Sequence, residues 1–398
     1  MGAIFLAIRK SESFIWSDSN VAERFCDAWH HPSLPDLPPH YHTTNGLPPH
    51  LIPVLKKALG LSSPSFADIL NTLNPHLLIY DAFQPWAPAA ASPHNIPAVH
   101  SIAGVAYPFP EILLQDFWWL KLRGNLGDSP DKNDDEEGDA IMKSFKQSCG
   151  IILIRSFEEI EAKYMYYLSV LTERKTIPVG TLDDQDLRYE EDQETESIFE
   201  WLNKRDQRSV VSLAFGSEYF LAKLEIEEIA HGLELSKINF IWVLKFPQGL
   251  KTRVDQALPV GFLSRVAARG MVVEGWAPQR KIPRHGSIGG FMSHCGWSSV
   301  VESMKFGAPI VAVPMHLDQP VNAKLVESVG VGFEVKRDEN GRLEREERAK
   351  VIEDVVIKKT GEDVRRKARE LSEKITKKGD EGIRGVVEEL VQLCENKK

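Results

Sequence analysis

The sequence predicts an α/β protein of two doubly wound parallel-sheet domains in series, the first of them incomplete. Three observations carry that expectation. Apolar strand-like runs and amphipathic helix-like runs alternate through the second half, which is the pattern of a parallel sheet with helical crossovers. The strand-like runs are apolar throughout, as in "NFIWVLK" (239–245), so both of their faces are expected to be covered. An acidic break separates this half from a first half with the same alternation in damaged form, and 398 residues suffice for two domains.

Residues 1–50 hold "HHPSLPDLPPHYHTTNGLPPH" and five of the twelve histidines; the Pro-rich spacing sets no His pair on one helix face, so the segment reads as irregular loop. A first domain spans 51–182. Within it "LIPVLKKALG" and "SFADILNTL" have helical periodicity, and "PHLLIYDAF" reads as a buried strand ending at Asp81. "NIPAVHSIAG" is a second strand, 128–140 an acidic loop, and "GIILIRSFEEIEAKYMYYL" a strand and a helix with a capping box from Ser156 and Glu159. Residues 183–207 read as an exposed acidic linker, with nine acidic side chains and one Arg in 183–200.

The second domain, 208–398, opens with "SVVSLAF" (strand), "AKLEIEEIAHGLELS" (helix) and "NFIWVLK" (strand). "GMVVEGW", "SIGGFMSH", "PIVAVPM" and "GVGFEVK" are further strands, "SSVVESMKF" is a helix closed by Gly307, and amphipathic helices end the chain.

Composition narrows the function classes. A net charge of −9 disfavours a nucleic-acid partner or an anionic membrane. A phosphate-bearing ligand stays open, because a helix N-terminus binds phosphate without net basic charge. Cys26, Cys149, Cys295 and Cys394 are far apart and no CxxC occurs, which predicts neither a disulfide framework nor a zinc ribbon and suits a reducing, cytoplasmic setting. The apolar start "MGAIFL" stops at Arg9-Lys10 after few residues, and no apolar run approaches the length of a membrane span.

The chemistry gathers at three strand ends, "WAPQ" after Gly275, "HCGWSS" from His294 and "HLDQP" from His316. In open parallel sheets, ligands bind outside the carboxyl ends of the strands. Gly296 permits a tight turn and close backbone approach, and Ser298 and Ser299 start a helix whose free N–H groups and dipole favour an anion. His294 is placed to donate to a phosphate oxygen, and Glu302, one turn on, to accept from two neighbouring hydroxyls. Two rival readings exist for His294-Cys295. A thiol nucleophile needs an exposed, electropositive setting, whereas a buried structural Cys needs none. Zinc needs further ligands at a suitable spacing, and none is seen. Gly-x-Gly-x-x-Gly is absent, so a nicotinamide cofactor has no fingerprint.

"WAPQRKIPRHGSIGGFMSHCGWSSVVESMKFGAPIVAVPMHLDQ", Trp276 to Gln319, closely resembles, without a gap, the nucleotide-sugar signature of plant family 1 UDP-glycosyltransferases. "VSLAFGSEY", "LLIYDAFQPWAP" and "EIEEIAHGLELSKINFIWVLKFPQG" also look like that family, and the longer phrases look most like its branch-forming subgroup, which glycosylates a sugar already on a flavonoid or terpenoid. The resemblance implies a GT-B fold, with a UDP-sugar as co-substrate and no metal or other cofactor. It implies that Trp276 stacks on uracil, with Ala277 and Gln279 near the base edge, and that Glu302 accepts the ribose hydroxyls. Ser217, His294 and Ser299 would meet the diphosphate, and Trp297, Asp318 and Gln319 the sugar hydroxyls. Gln319 leans toward glucose.

The sequence departs from the family in two places. Ser298 stands where the signature usually has Asn, which shortens the reach of one donor and predicts weaker donor binding. The family's catalytic base, a His after the first strand, has no counterpart: Asp81 matches the carboxylate that orients it, but "AIFLAI" is followed by "RKSESF" rather than Gly-His. His42, His50 and His100 are the candidate substitutes, and each reads more readily as a bystander. The sequence therefore leaves two readings, a hexose transferase with impaired activity and a UDP-sugar-binding protein without turnover. A different nucleotide-sugar enzyme of the same fold, such as an epimerase, fits the Trp276–Gln319 block less well.

Overall fold

The computed structural model describes residues 34, 36–37, 47 and 51–395, apart from 82–83, 105–113, 115–141, 182–192, 217–218, 247–252, 276, 279–280 and 339. The described residues form two units. Residues up to 104, 142–180 and 379–395 make the first, and 114 and 181–378 make the second.

The first unit holds helices α1 (Ile52–Leu61), α2 (Ser63–Leu73), α3 (Ala87–Ala91) and α4 (Glu158–Thr172). Its strands β1 (Leu78–Tyr80), β2 (Ala98–Ile102), β3 (Ile151–Ile154) and β4 (Lys175–Pro178) form a parallel sheet in the order β1-β2-β3-β4. Pairing sets Tyr80 beside His100 and His100 beside Ile152. One face of β1 and β2 is covered by α2 and α3: Leu78, Tyr80 and Ala98 join Phe66, Leu70, Ala87 and Ala91 in one core cluster. Two expectations shift here. The capping box is absent, because α4 is capped by Phe157, and Ser156 sits one residue too early, fully buried. The chain's end also belongs to this unit, not to the second: Lys175 pairs with Glu389, and the Cys394 thiol lies 3.6 Å from the His76 carbonyl.

The second unit begins with α5 (Gln193–Asn203). This corrects the exposed linker from residue 193 onward: Ile198 and Leu202 are buried in the core and Glu196 and Glu200 are exposed, so this part is an amphipathic helix, while 183–192 lie outside the described residues. The strands are β5 (Val210–Ala214), β6 (Asn239–Leu244), β7 (Gly270–Glu274), β8 (Ile288–Ser293), β9 (Ile310–Ala312) and β10 (Gly332–Glu334). The crossovers are α6 (Lys223–Ser236), α7 (Val254–Ala257), α8 (Phe262–Val266), α9 (Trp297–Phe306) and α10 (Gln319–Val329), and α11 (Arg345–Val356) and α12 (Glu362–Glu395) follow.

All six strands are parallel, in the order β10-β9-β8-β5-β6-β7. Strand β6 shows why they are apolar. Phe240, Trp242 and Leu244 enter one core cluster, while Ile241 and Val243 enter the other. Alternate side chains leave opposite faces of a strand, and helices cover both. Each such side chain contributes about 1.5–3 kcal/mol by leaving water.

The order reverses direction between β5 and β8. That is the topological switch point of a doubly wound sheet, where the crevice for a ligand opens. The register aligns the rim: Ala312, Ser293, Ala214 and Val243 are successive partners on β9, β8, β5 and β6. The three loaded strand ends therefore share one rim, but only those of β8 and β9 are neighbours. Strands β5 and β6 lie between β8 and β7, so the ends of β8 and β7 stand about 14 Å apart at the usual strand spacing.

Candidate functional site

The segment Ser293–Ser303 leaves β8 at the switch point and becomes α9. His294 is nearly buried, with 9% of its surface exposed. Its imidazole fits there because two glycines make room. A Cβ on Gly216, just beyond β5, would stand 2.6 Å from His294 Nε2, and one on Gly296 would stand 2.5 Å from it. Gly216 also has φ +78, a conformation that side chains resist. Two strand ends thus clamp one ring between backbone segments. Gly216 was not singled out in the sequence, although a glycine directly after a buried strand is the signal that finds it.

Cys295 settles the question of the thiol. It is fully buried with φ 64, its N–H donates to Ser293 Oγ at 3.1 Å, and its carbonyl accepts from Asn322 Nδ2 at 3.0 Å. Burial, and next the charge of Glu334, push the thiol well above its usual range, so it is held as a neutral thiol rather than a nucleophile. Its left-handed backbone stores about 1–3 kcal/mol that this bonding holds in place. Among the described residues no group of three or more His, Cys, Asp or Glu is arranged to hold a metal ion.

Gly296 caps α9, with the Val300 N–H bonded to its carbonyl at 3.1 Å. No side chain caps the helix, so Ser298 and Ser299 stand in an uncapped first turn. Trp297, Val300, Val301 and Met304 make the buried face. Gly307 ends the helix with φ 67, its N–H reaching the Ser303 and Met304 carbonyls. Ser298 is exposed, while Ser299 and Glu302, three residues apart on one face, line a cavity with Ser212, Ile241, Ile282 and Phe291. The polar groups of Ser212, Ser299 and Glu302 share this cavity with apolar walls.

At the end of β9 the chain turns through Leu317, again left-handed at φ 55. Gln319 holds this turn. Its Oε1 accepts the N–H groups of Met315 (2.9 Å) and His316 (3.0 Å), and its Nε2 lies 3.3 Å from His316 Nδ1. Because Oε1 is taken by two backbone donors, Nε2 must donate and His316 Nδ1 must accept, which puts the imidazole proton on Nε2. Only one Nε2 hydrogen of Gln319 is then left for a ligand, so a sugar hydroxyl there has to accept. Asp318 is exposed, and its Oδ2 accepts from Asn322 Nδ2 at 2.9 Å. Asn322 thereby ties the β8 and β9 ends together, a role that sequence reading missed.

Ala277 is 1% exposed and its methyl lies in the core cluster of Ile241, Val243 and Ile282, so it offers a ligand only its backbone. Trp276, Gln279 and Ser217 lie outside the described residues. The structure thus brings His294, Gly296, Ser298, Ser299 and Glu302 to one helix start, sets Asp318 and Gln319 on the neighbouring strand end, and buries Trp297 in the first turn.

In the first unit, Asp81 follows β1, with its N–H 3.2 Å from Gln84 Oε1. His100 is a core residue rather than a base. It is fully buried, edge-on to Tyr80 and Phe145 at ring distances of 5.0 and 4.6 Å, and neither ring nitrogen has a hydrogen-bond partner among the described residues. Desolvation lowers its pKa to about 4. His42 and His50 lie outside the described residues. Among the described residues, no helix is long and apolar enough to cross a membrane.

Comparison with known proteins places the chain in a family. Residues 179–361 match the family described as UDP-glucoronosyl and UDP-glucosyl transferase. A mogroside IIIx synthase of Siraitia grosvenorii is 52% identical over 368 residues, covering 88% of this chain and 81% of that protein. A beta-D-glucosyl crocetin beta-1,6-glucosyltransferase of Gardenia jasminoides is 46% identical over 381 residues, covering 92% of this chain and 85% of the relative. Among solved structures, Phytolacca americana UGT2 complexed with UDP-2fluoro-glucose and pterostilbene superposes with a TM-score of 0.71 at 25% identity, over 86% of this chain and 82% of that one. The fold is GT-B, and the chain belongs to the plant family 1 UDP-glycosyltransferases.

Proposed function

We propose that this glycosyltransferase moves a hexose, glucose in the first instance, from a UDP-sugar to a hydroxyl of a small terpenoid or flavonoid glycoside, with inversion. The observation that carries the donor half is the seat of His294: an imidazole clamped by Gly216 and Gly296 at the switch point, beside the uncapped first turn of α9. Diphosphate lies against that turn, where His294 and the backbone N–H groups of Ser298 and Ser299 donate to it, with Ser217 adding a hydroxyl. These donors meet the negative charge that grows on the leaving diphosphate, so no metal ion is required. Glu302 accepts the ribose hydroxyls in the cavity it lines with Ser299. The uracil stacks on Trp276, past the backbone of Ala277 and Gln279, which suits the about 14 Å between the β8 and β7 ends. The sugar meets Asp318, the free Gln319 hydrogen and the edge of Trp297. Closely related names support a glycoside acceptor, since the Gardenia relative is named for adding glucose to a glucosyl crocetin. The chain works in the cytoplasm.

In the transfer, a base takes the acceptor proton and the oxygen attacks the anomeric carbon opposite UDP. The bond from that carbon to the diphosphate oxygen breaks, and the electron pair leaves with UDP. Asp81 orients the base. A second reading, UDP-sugar binding with slow or no transfer, is favoured by one observation: His100, weighed as the substitute base, is fully buried and a weak base. UDP-glucose hydrolysis and transfer to a panel of flavonoid and triterpenoid glucosides, with UDP binding measured in parallel, separates the two. UDP binding with turnover on a glycoside supports the transferase, and binding without turnover supports the second reading. Absence of UDP binding removes both.

A further inference from the structure

We infer that Tyr219 is a positioning residue that sets how the donor sugar is held, acting through His316 on Gln319. The inference rests on the reading that Gln319 touches the sugar. Tyr219 follows β5 on the diphosphate side of the site, and His316 follows β9 on the sugar side. Their rings lie 5.1 Å apart, tilted by 57°.

The tyrosine is anchored from behind. Its hydroxyl reaches both oxygens of Glu225, at 2.8 and 3.0 Å, and Glu225 also accepts the Ala222 N–H at 2.8 Å in the first turn of α6. Burial first, and then the Glu225 charge, push the phenol far above its usual range, so it stays protonated and donates. The ring is therefore fixed to the rigid start of a helix. Against it rests His316, whose Nδ1 accepts the Gln319 amide. The strand end before this turn is also held by Arg337, which donates to the Pro314 carbonyl at 2.7 Å and to the Gly341 carbonyl at 2.9 Å.

This arrangement matters because the turn is strained at Leu317 and Gln319 has one donor hydrogen to offer. Tilting His316 redirects that hydrogen, while the β8 helix start that meets the diphosphate is untouched. Tyr219 thus couples the phosphate-side loop to the sugar-side turn without touching the sugar itself.

The test reads the ratio of UDP to UDP-glucose dissociation constants by calorimetry, with folding checked by circular dichroism and thermal melting. Tyr219→Ala is expected to weaken UDP-glucose about 5- to 10-fold while changing UDP by less than about twofold. Tyr219→Phe keeps the ring against His316 and is expected to restore most of the ratio. The double variant Tyr219→Ala/Gln319→Ala is expected to match Gln319→Ala alone, because both act on one contact. Equal weakening of UDP and UDP-glucose by Tyr219→Ala overturns the inference, as does an additive double variant. If Tyr219→Ala does not fold, Tyr219→Leu and His316→Ala carry the same comparison with the same outcomes. Gln319→Ala with an unchanged ratio sinks the reading of the sugar contact and the inference with it. An altered Gln319→Ala beside an unaltered Tyr219→Ala sinks the inference alone.

Discussion

The two sheets of this protein are built by the same rule and equipped differently. The second has six strands, a switch point between β5 and β8, and a rim where His294, Ser299, Glu302, Asp318 and Gln319 fall within one continuous stretch of chain. The first has four described strands running in simple order; Asp81, held at its backbone by Gln84, follows β1, and His100, in the middle of β2, is buried in the core. A site written mostly in one stretch, with Gly216 of the same sheet beside it, is assembled within one unit. A catalytic pair drawn from distant segments depends on every segment being present and placed. The donor and acceptor chemistries are therefore expected to fail independently.

Several variants break or sharpen that contrast. The largest effect is expected from Gly216→Val, which drives a side chain into His294 from a left-handed backbone. UDP binding should fall more than about 100-fold and stability by about 2–4 kcal/mol, read by calorimetry and urea melts. Next, Glu302→Ala should weaken UDP about 10- to 100-fold, since a charge-assisted hydrogen bond contributes about 1.5–3 kcal/mol. Asp81→Ala should leave UDP affinity within about twofold and lower only transfer. Matched losses of UDP affinity in these two variants would erase the contrast.

A third effect belongs to the first unit alone. Folded, His100 stays neutral down to a pH of about 4, whereas the unfolded chain takes up the proton at its usual value of 6.5. Unfolding therefore gains a proton in that window, and stability falls as pH drops from 6.5 toward 4, by about 3 kcal/mol, and levels off below. His100→Phe should remove this part of the slope in urea melts taken across the window. A variant with the wild-type slope would show that another group carries it. The smallest effect is expected at the exposed Ser298, where Ser298→Asn should tighten UDP-glucose only a few-fold, by about 0.5–1 kcal/mol. Unchanged donor affinity would count against a contact there.

Much of this was legible in the chain. Apolar runs such as "NFIWVLK" gave the buried strands because both faces of a parallel sheet are covered, and "SSVVESMKFG" gave α9 with its glycine end. What escaped has physical reasons. Charge hid α5, since the acidic face outweighs Ile198 and Leu202 in a reading of composition. The cap of α4 moved by one residue because Phe157 is still extended at φ −121, so the helix begins only at Glu158. Strand order cannot be read from sequence spacing, so the chain order of the three loaded ends did not show that two strands separate β7 from β8. The clamp on His294, the Asn322 tie and the Tyr219–His316 contact join residues distant in sequence, and periodicity carries no trace of such pairs.

The central claim is that the diphosphate of the donor sits at the β5/β8 switch point. A crystal structure of the chain with UDP tests it most directly. The account predicts phosphate oxygens within hydrogen-bonding distance of His294 and of the Ser298 and Ser299 backbone N–H groups, with the ribose hydroxyls on Glu302. A diphosphate bound away from the first turn of α9, with His294 still enclosed by Gly216 and Gly296 and making no contact to it, would contradict the account.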